Sequence, residues 1–399
     1  MIASLLQSQL AQDVYAVIHA APTIPVPSAT ALLVLPLQAR LLVAKPSRLN
    51  VAVRVVLLFA YLFVAVLGER ISNHDKLIIG FCLNLIVSAG ALHSVHLTFT
   101  NRRLIDAPKI ISFSHYGYSD LGWSGAVEML FNFRGIGMGW GVSDENLRPY
   151  DRFIWSALYE MLTQHVVSQL AFAAMARFGA HNHGKTLYEL VGCDVAITIA
   201  LFAFVVSSCS LVYTSVSLLV YIISALLQIS FDERRWAPLF SNPLKSDSVT
   251  AFWNERWHGL LQRHAYLCGY RPVYKALTYL QVPGDVPHYS AIIGTYAVSG
   301  AMYEYCLRCT SGALLMYGSY PTFNFFIISA LAIILEHGVV EYSGRRVGSL
   351  CGRIWTCVIL FIPALHMARQ VLLAMGPMQD PAEWAWWRWL LPLSFALSK

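Results

Sequence analysis

The sequence predicts an all-α fold, a polytopic helical membrane protein with about eight or nine transmembrane helices plus re-entrant or interfacial helices. Three observations carry that prediction. Of the 399 residues, 57% are hydrophobic and only 13% are charged, against about a quarter charged in a soluble globular chain. Mean hydropathy is +0.54. Apolar runs of about 20 residues, the length that spans a bilayer as a helix, recur along the chain. They leave room for a single membrane domain over residues 1–399 and for no separate soluble one. The formal charge of +6 is modest. No basic cluster is dense enough to point to nucleic acid.

In chain order, the apolar runs place membrane helices at about 28–45, 50–68, 76–98, 187–207, 209–230, 289–309, 322–342 and 353–374, with a weaker one at 384–398. The N-terminus lacks the basic n-region and small-residue cleavage site of a secretory signal, so the first helix is expected to be retained. The run 153–176 is apolar, yet Glu160, Gln164, His165 and Gln169 interrupt it at helical spacing, as one polar stripe. Charge sets the orientation. Four segments are basic: Arg40 to Arg48, Arg102 to Lys109, the long stretch 231–288, and Arg345 to Arg353; the segment 310–321 carries no charge. The positive-inside rule puts the basic four in the cytoplasm and 310–321 in the lumen. This closes if 153–176 enters the membrane without crossing it. Cysteines lie mostly inside apolar runs. Cys306 and Cys309 form a C-x-x-C with no second pair to complete a zinc site, so no metal is expected.

The chemistry-bearing residues concentrate in the cytoplasmic segment 231–288. After Pro238 and Pro243, Ser246 to Ser248 offer N-cap side chains ahead of a helical pattern. On a helix from about 250, Trp253, Trp257, Leu260 and Leu261 share one face. Asn254 and His258, four apart, stack on its flank. Two readings are open. One is an interfacial amphipathic helix with a tryptophan belt. The other adds a cavity beside it, where a hydroxyl substrate and a charged cosubstrate meet.

The motifs RRWAPLF (234–240), Ser246-Asp247-Ser248 and FWNERWHGLLQRH (252–264) resemble the signature of the wax-synthase-like branch of the membrane-bound O-acyltransferases, typified by fungal acetyltransferases of terpenoid and meroterpenoid pathways. FNFRGIGMGW (131–140) is similar to that branch's Arg-Gly-Ile-Gly-aromatic box, and FFIISALAIILEHGVVEY (325–342) and GRRVGSLCGRIWTCVILFIPA (344–364) to its last helices. The likeness covers about 120–374. It implies a multi-pass enzyme of the endoplasmic reticulum, surrounded by membrane lipid. Such an enzyme takes an acyl group from acyl-CoA, here acetyl-CoA, and passes it to a lipophilic terpenoid alcohol without a metal. A buried histidine accepts the alcohol proton as general base.

In these families the base lies in a helix motif Ser-Gly (or Ser-Ala), two residues, His-Glu. Here VSGAMYEY supplies Ser299, Gly300 and Glu304, with Tyr303 in the histidine position. A phenol with a pKa of about 10 is a poor base near neutrality. The resemblance therefore implies His258, Asn254, Tyr303 and Glu304 as catalytic residues, and Trp253, Trp257, Arg256, Arg134, Ser299 and His337 around the substrate. His337 stands roughly 15 Å from Tyr303 in membrane depth at 1.5 Å per residue, so His258 is the better substitute base. Two other accounts stay open. Tyr303 or Glu304 acts as the acid of a CoA-independent cyclase or isomerase, for which the aromatic supply exists. Or the scaffold only binds a lipid or a partner. Each residue also has a purely structural reading: Glu304 pairs with Arg308 at (i, i+4), His337 makes an intrahelical contact beside Glu336, and Gly135, Gly137 and Gly139 allow close packing, with Arg134 on a phosphate as the alternative.

Overall fold

A computed structural model describes residues 24–44, 47–69, 77–100, 126, 129–135, 153–179, 187–226, 231, 233–311, 320–344 and 348–374. Among these the chain is helical apart from turns and one short parallel strand pair, β1 (Ile24–Pro27) with β2 (Gly68–Glu69). Two compact units are formed, Met1–Val142 with Gly259–Leu335, and Ser143–His258 with Glu336–Lys399.

In the first unit a 3-10 turn (Ser28–Leu33) leads into α1 (Val34–Val43), α2 (Arg48–Leu67) and α3 (Leu77–Phe99). Leu35, Ala39, Leu42, Tyr61 and Leu97 make an apolar core. Beside it lies a buried polar network. Gln38 Nε2 donates to Thr98 Oγ1 (3.1 Å) and to the Arg54 carbonyl (3.2 Å), Ser94 Oγ donates to Gln38 Oε1 (2.8 Å), and Arg54 Nη1 donates to the Leu97 carbonyl (2.7 Å). On α2 the usual amphipathic pattern is inverted: Asn50, Arg54 and Tyr61 are buried, while Val56, Phe59, Phe63 and Val66 are exposed. Polar residues inside and apolar residues outside is the arrangement a lipid environment selects. Downstream the same unit holds α6 (Arg271–Tyr279), α7 (Val286–Ser311) and the first part of α8 (Pro321–Ser343). Gly269 lets the chain lie against α7: a Cβ there would sit 2.3 Å from the Gly294 carbonyl oxygen.

The second unit is built on α4 (Phe153–Gly179) packed along α5 (Leu187–Leu226), with α9 (Ser349–Ala374) against α5. The helices expected at 187–207 and 209–230 are one 40-residue helix. The polar stretch between them does not break it, because its hydroxyls bond within the helix: Ser207 Oγ donates to the Ala203 carbonyl (2.6 Å) and Ser215 Oγ to that of Leu211 (2.7 Å). On α5, Thr198, Ser207, Ser210, Thr214 and Ser217 are buried while Ile199, Val212 and Leu219 are exposed, the same inversion as on α2. α4 repeats it, with Ser168 and Gln169 inside and Trp155, Leu162 and Leu170 outside.

Four helices among the described residues are long and apolar enough to cross a membrane: Arg48–Leu67, Gly192–Leu226, Pro321–Ser343 and Ser349–Arg369. The protein is thus a helical membrane protein, and eight or nine crossings are not reached on that criterion. The expected helix at 384–398 lies outside the described residues.

Candidate active site

The chain enters the FWNERWH box from a short helical turn, Val249–Ala251. Ser248 caps its start, its Oγ accepting from the Ala251 N–H at 2.9 Å. The chain then widens into a π turn, Phe252–Arg256, closed by the Trp257 N–H on the Phe252 carbonyl (2.8 Å). Trp257 itself is extended, at φ −79° and ψ 158°. The amphipathic helix expected from 250 to 261 is therefore not formed. Trp257, Leu260 and Leu261 share no helical face with Trp253, and Asn254 and His258 fall on either side of the break. Two contacts account for the break. The Phe252 and Trp257 rings stack at 5.1 Å, with Trp253 edge-on to both and Phe240 edge-on to Trp257 and His258. Arg256 and Ser241 clip the chain across the turn: the Ser241 N–H donates to the Arg256 carbonyl (3.0 Å), and Arg256 Nη1 donates to the Ser241 carbonyl (3.1 Å). Arg256 thus braces the box. His258 emerges half-buried at the edge of this aromatic cluster, and Asn254 is exposed.

What holds the box is a residue the sequence reading passed over. Glu336, buried on α8, accepts from the Val249 N–H (2.6 Å), the Thr250 N–H (2.9 Å), the Thr250 hydroxyl (2.6 Å) and Trp355 Nε1 of α9 (2.9 Å). A carboxylate on the first N–H groups of a helical turn is favourable by charge and by hydrogen bonding. The available signal was an acid inside a long apolar run, which must find partners. His337, next to it, is half-buried.

The other expected residues lie in the first unit. Glu304 is buried on α7 and its carboxylate is fully engaged. Oε1 pairs with Arg308 (2.9 Å), and Oε2 accepts from the Thr322 N–H (3.1 Å) and the Phe323 N–H (3.4 Å) at the start of α8. Arg308 in turn covers the Tyr320 ring at 4.3 Å. Gly300 permits the approach, since a Cβ there would lie 3.0 Å from the Phe323 Cα. Tyr303, half-buried, stacks on Phe326 with centroids 5.5 Å apart and planes 8° from parallel. Ser299 is half-buried on the same helix. Arg134 sits in a tight turn, with the Gly135 N–H on the Asn132 carbonyl (3.1 Å) and Gly135 at φ 63°. Gly137 and Gly139 lie outside the described residues.

The structure therefore brings together Trp253, Trp257 and His258, with Phe240 and with Arg256 as a brace. Separately, it brings Tyr303, Glu304 and Gly300 to the start of α8. Just beyond the box, His264 is fully buried, and that burial, with His93 and His96 beside it, holds its imidazole well below the usual range.

Residues 236–328 match the membrane bound O-acyl transferase family. The matched stretch contains both the FWNERWH box and the helix of Tyr303. The acetyltransferase aurG of Calcarisporium arbuscula is 26% identical over 129 residues, 32% of this chain and 30% of the relative's length. Both matches support an acyltransferase-like membrane protein of this family type.

Proposed function

We propose that this protein transfers an acyl group, acetyl in the simplest case, from acyl-CoA to the hydroxyl of a lipophilic alcohol of terpenoid type in the endoplasmic reticulum membrane. The observation that carries the reading is the family match over 236–328, which takes in both motif-bearing segments at once. The box geometry supports it. His258 ends an aromatic wall whose backbone is pinned by Glu336 and by the Arg256–Ser241 clip. In the reaction, the His258 imidazole accepts the alcohol proton as the alcohol oxygen attacks the thioester carbonyl. The C–S bond then breaks and the CoA sulfur takes a proton back. Asn254 orients the acceptor, and Trp253 and Trp257 contact it.

Glu304 does not serve as an acid in this scheme. Its carboxylate is committed to Arg308 and to the first turn of α8, which weighs against the cyclase reading. Tyr303 stacks on Phe326 and takes no part in the proton transfer.

We also propose a revised path through the membrane. A helix of 40 residues is about 60 Å long at 1.5 Å per residue, enough for one crossing of a core of about 30 Å. If α4 crosses before it, the basic segment 231–288 still returns to the cytoplasm. The two changes cancel, and the positive-inside rule is still obeyed.

The test is chemical. Membranes containing the full chain are given acetyl-CoA with a hydroxylated terpenoid or with a hydroxyl-free polyene. Ester from the alcohol is expected. A rearranged polyene formed without CoA would support the cyclase instead.

A further inference from the structure

Three imidazoles meet inside the first unit, away from the box. His93 and His96 stand three residues apart on α3, and His264 comes from the short helix Gln262–Ala265. All three are buried, and their ligand nitrogens lie within 4.8 Å of one another. We propose that His93, His96 and His264 form a binding site for a first-row divalent transition metal ion, Zn²⁺ being the natural fit.

The hydrogen bonding argues for a cation. His93 Nε2 lies 3.1 Å from the Met129 carbonyl, which can only accept. That nitrogen therefore carries the proton of the neutral ring, and His93 Nδ1 is a lone pair. His264 Nε2 faces this lone pair at 2.9 Å. If His264 donates there, its Nδ1 becomes a buried lone pair with no hydrogen-bond partner. Protonating His264 on both nitrogens would instead bury an imidazolium cation, which is costly. A metal ion gives both facing nitrogens one partner. Met129 keeps the His93 N–H, and His93 Nδ1 and His264 Nε2 both turn lone pairs to the ion. Metal-bound histidines characteristically donate their other N–H to a carbonyl in this way.

Distances and surroundings agree. Zn–N bonds of about 2.0–2.1 Å in a tetrahedron separate ligand nitrogens by about 3.3 Å, so small ring rotations reach the geometry. Phe133 covers the cluster, with its ring 4.5 Å from His93 and 5.5 Å from His264. A site this enclosed is structural: the ion clasps α3 to the segment that follows the FWNERWH box. The sequence expectation of no metal looked to cysteines, and the ligands are histidines 171 residues apart along the chain.

The experiment uses the full chain, purified in detergent with a tag free of histidine, stripped with chelator and titrated with Co²⁺. One saturable equivalent with visible d–d bands is expected, displaced by Zn²⁺, and the chelated protein should unfold at a lower temperature. His96→Gln should lose the bands. His288→Gln, an imidazole on Tyr270 outside the cluster, should keep them. If either variant misfolds, the wild-type titration decides alone. Absence of a saturable Co²⁺ equivalent, or equal bands in folded His96→Gln, would overturn the proposal.

Discussion

Two buried carboxylates, Glu304 and Glu336, do the same thing. Each reaches from its own helix to two successive N–H groups in the first turn of another. Such a group is a joint more than a reagent, and its removal should be felt as lost order. Glu304→Gln breaks the pair with Arg308 and should cost about 2–4 kcal/mol of stability, read as a lowered unfolding temperature in detergent, because a half-removed buried pair leaves its partner uncompensated. An unchanged midpoint would show the joint to be idle. Glu336→Ala leaves the chemistry in place but loosens the box. It should lower acyl transfer about 10- to 100-fold, the scale of a small misplacement, while the chain still inserts and folds. Tyr303→Phe should keep at least about half of wild-type activity, because no proton passes through the phenol in this mechanism; collapse of activity would assign the hydroxyl a role. The Glu304–Arg308 contact was legible in the sequence, since (i, i+4) spacing is local. The cap on Thr322 was not, because it depends on how α7 meets α8, and neither partner N–H leaves a mark in the residue types.

Helices were read well where the signal was an apolar run bounded by charge. The expected 50–68, 289–309, 322–342 and 353–374 became Arg48–Leu67, Val286–Ser311, Pro321–Ser343 and Ser349–Ala374. Two elements were misread for physical reasons. The runs 187–207 and 209–230 were read as two helices, yet the hydroxyls near their junction bond to their own helix and need no water. In the box, aromatic residues at 253 and 257 fit a helical period. Ring stacking of Phe252 on Trp257 was served instead by a π turn, a feature often found at functional sites. The continuous α5 has a consequence for topology. A cysteine placed in 180–186 should resist a membrane-impermeant maleimide in sealed microsomes and react once they are permeabilised. Labelling from the cytoplasmic side would restore the reading in which α4 enters without crossing.

For the whole molecule, the sequence made the membrane class evident, because hydropathy reports the solvent directly. Function was legible only through short motifs, and those motifs turn out to serve two ends. Gly300 and Glu304 set the meeting of α7 with α8, whereas the box gathers Trp253, Trp257 and His258 on a braced turn. The account assigns the chemistry to the second group. Its central claim is that His258 receives the proton of an alcohol attacking an acyl thioester. The direct measurement is transfer of label from radioactive acetyl-CoA to a terpenoid alcohol by membranes holding equal amounts of wild-type protein or His258→Ala. The account predicts labelled ester with the wild type and a loss of about 10²- to 10⁴-fold in the variant, the range for removing a general base. Equal ester formation by both, or none above empty membranes with the wild type, would contradict it.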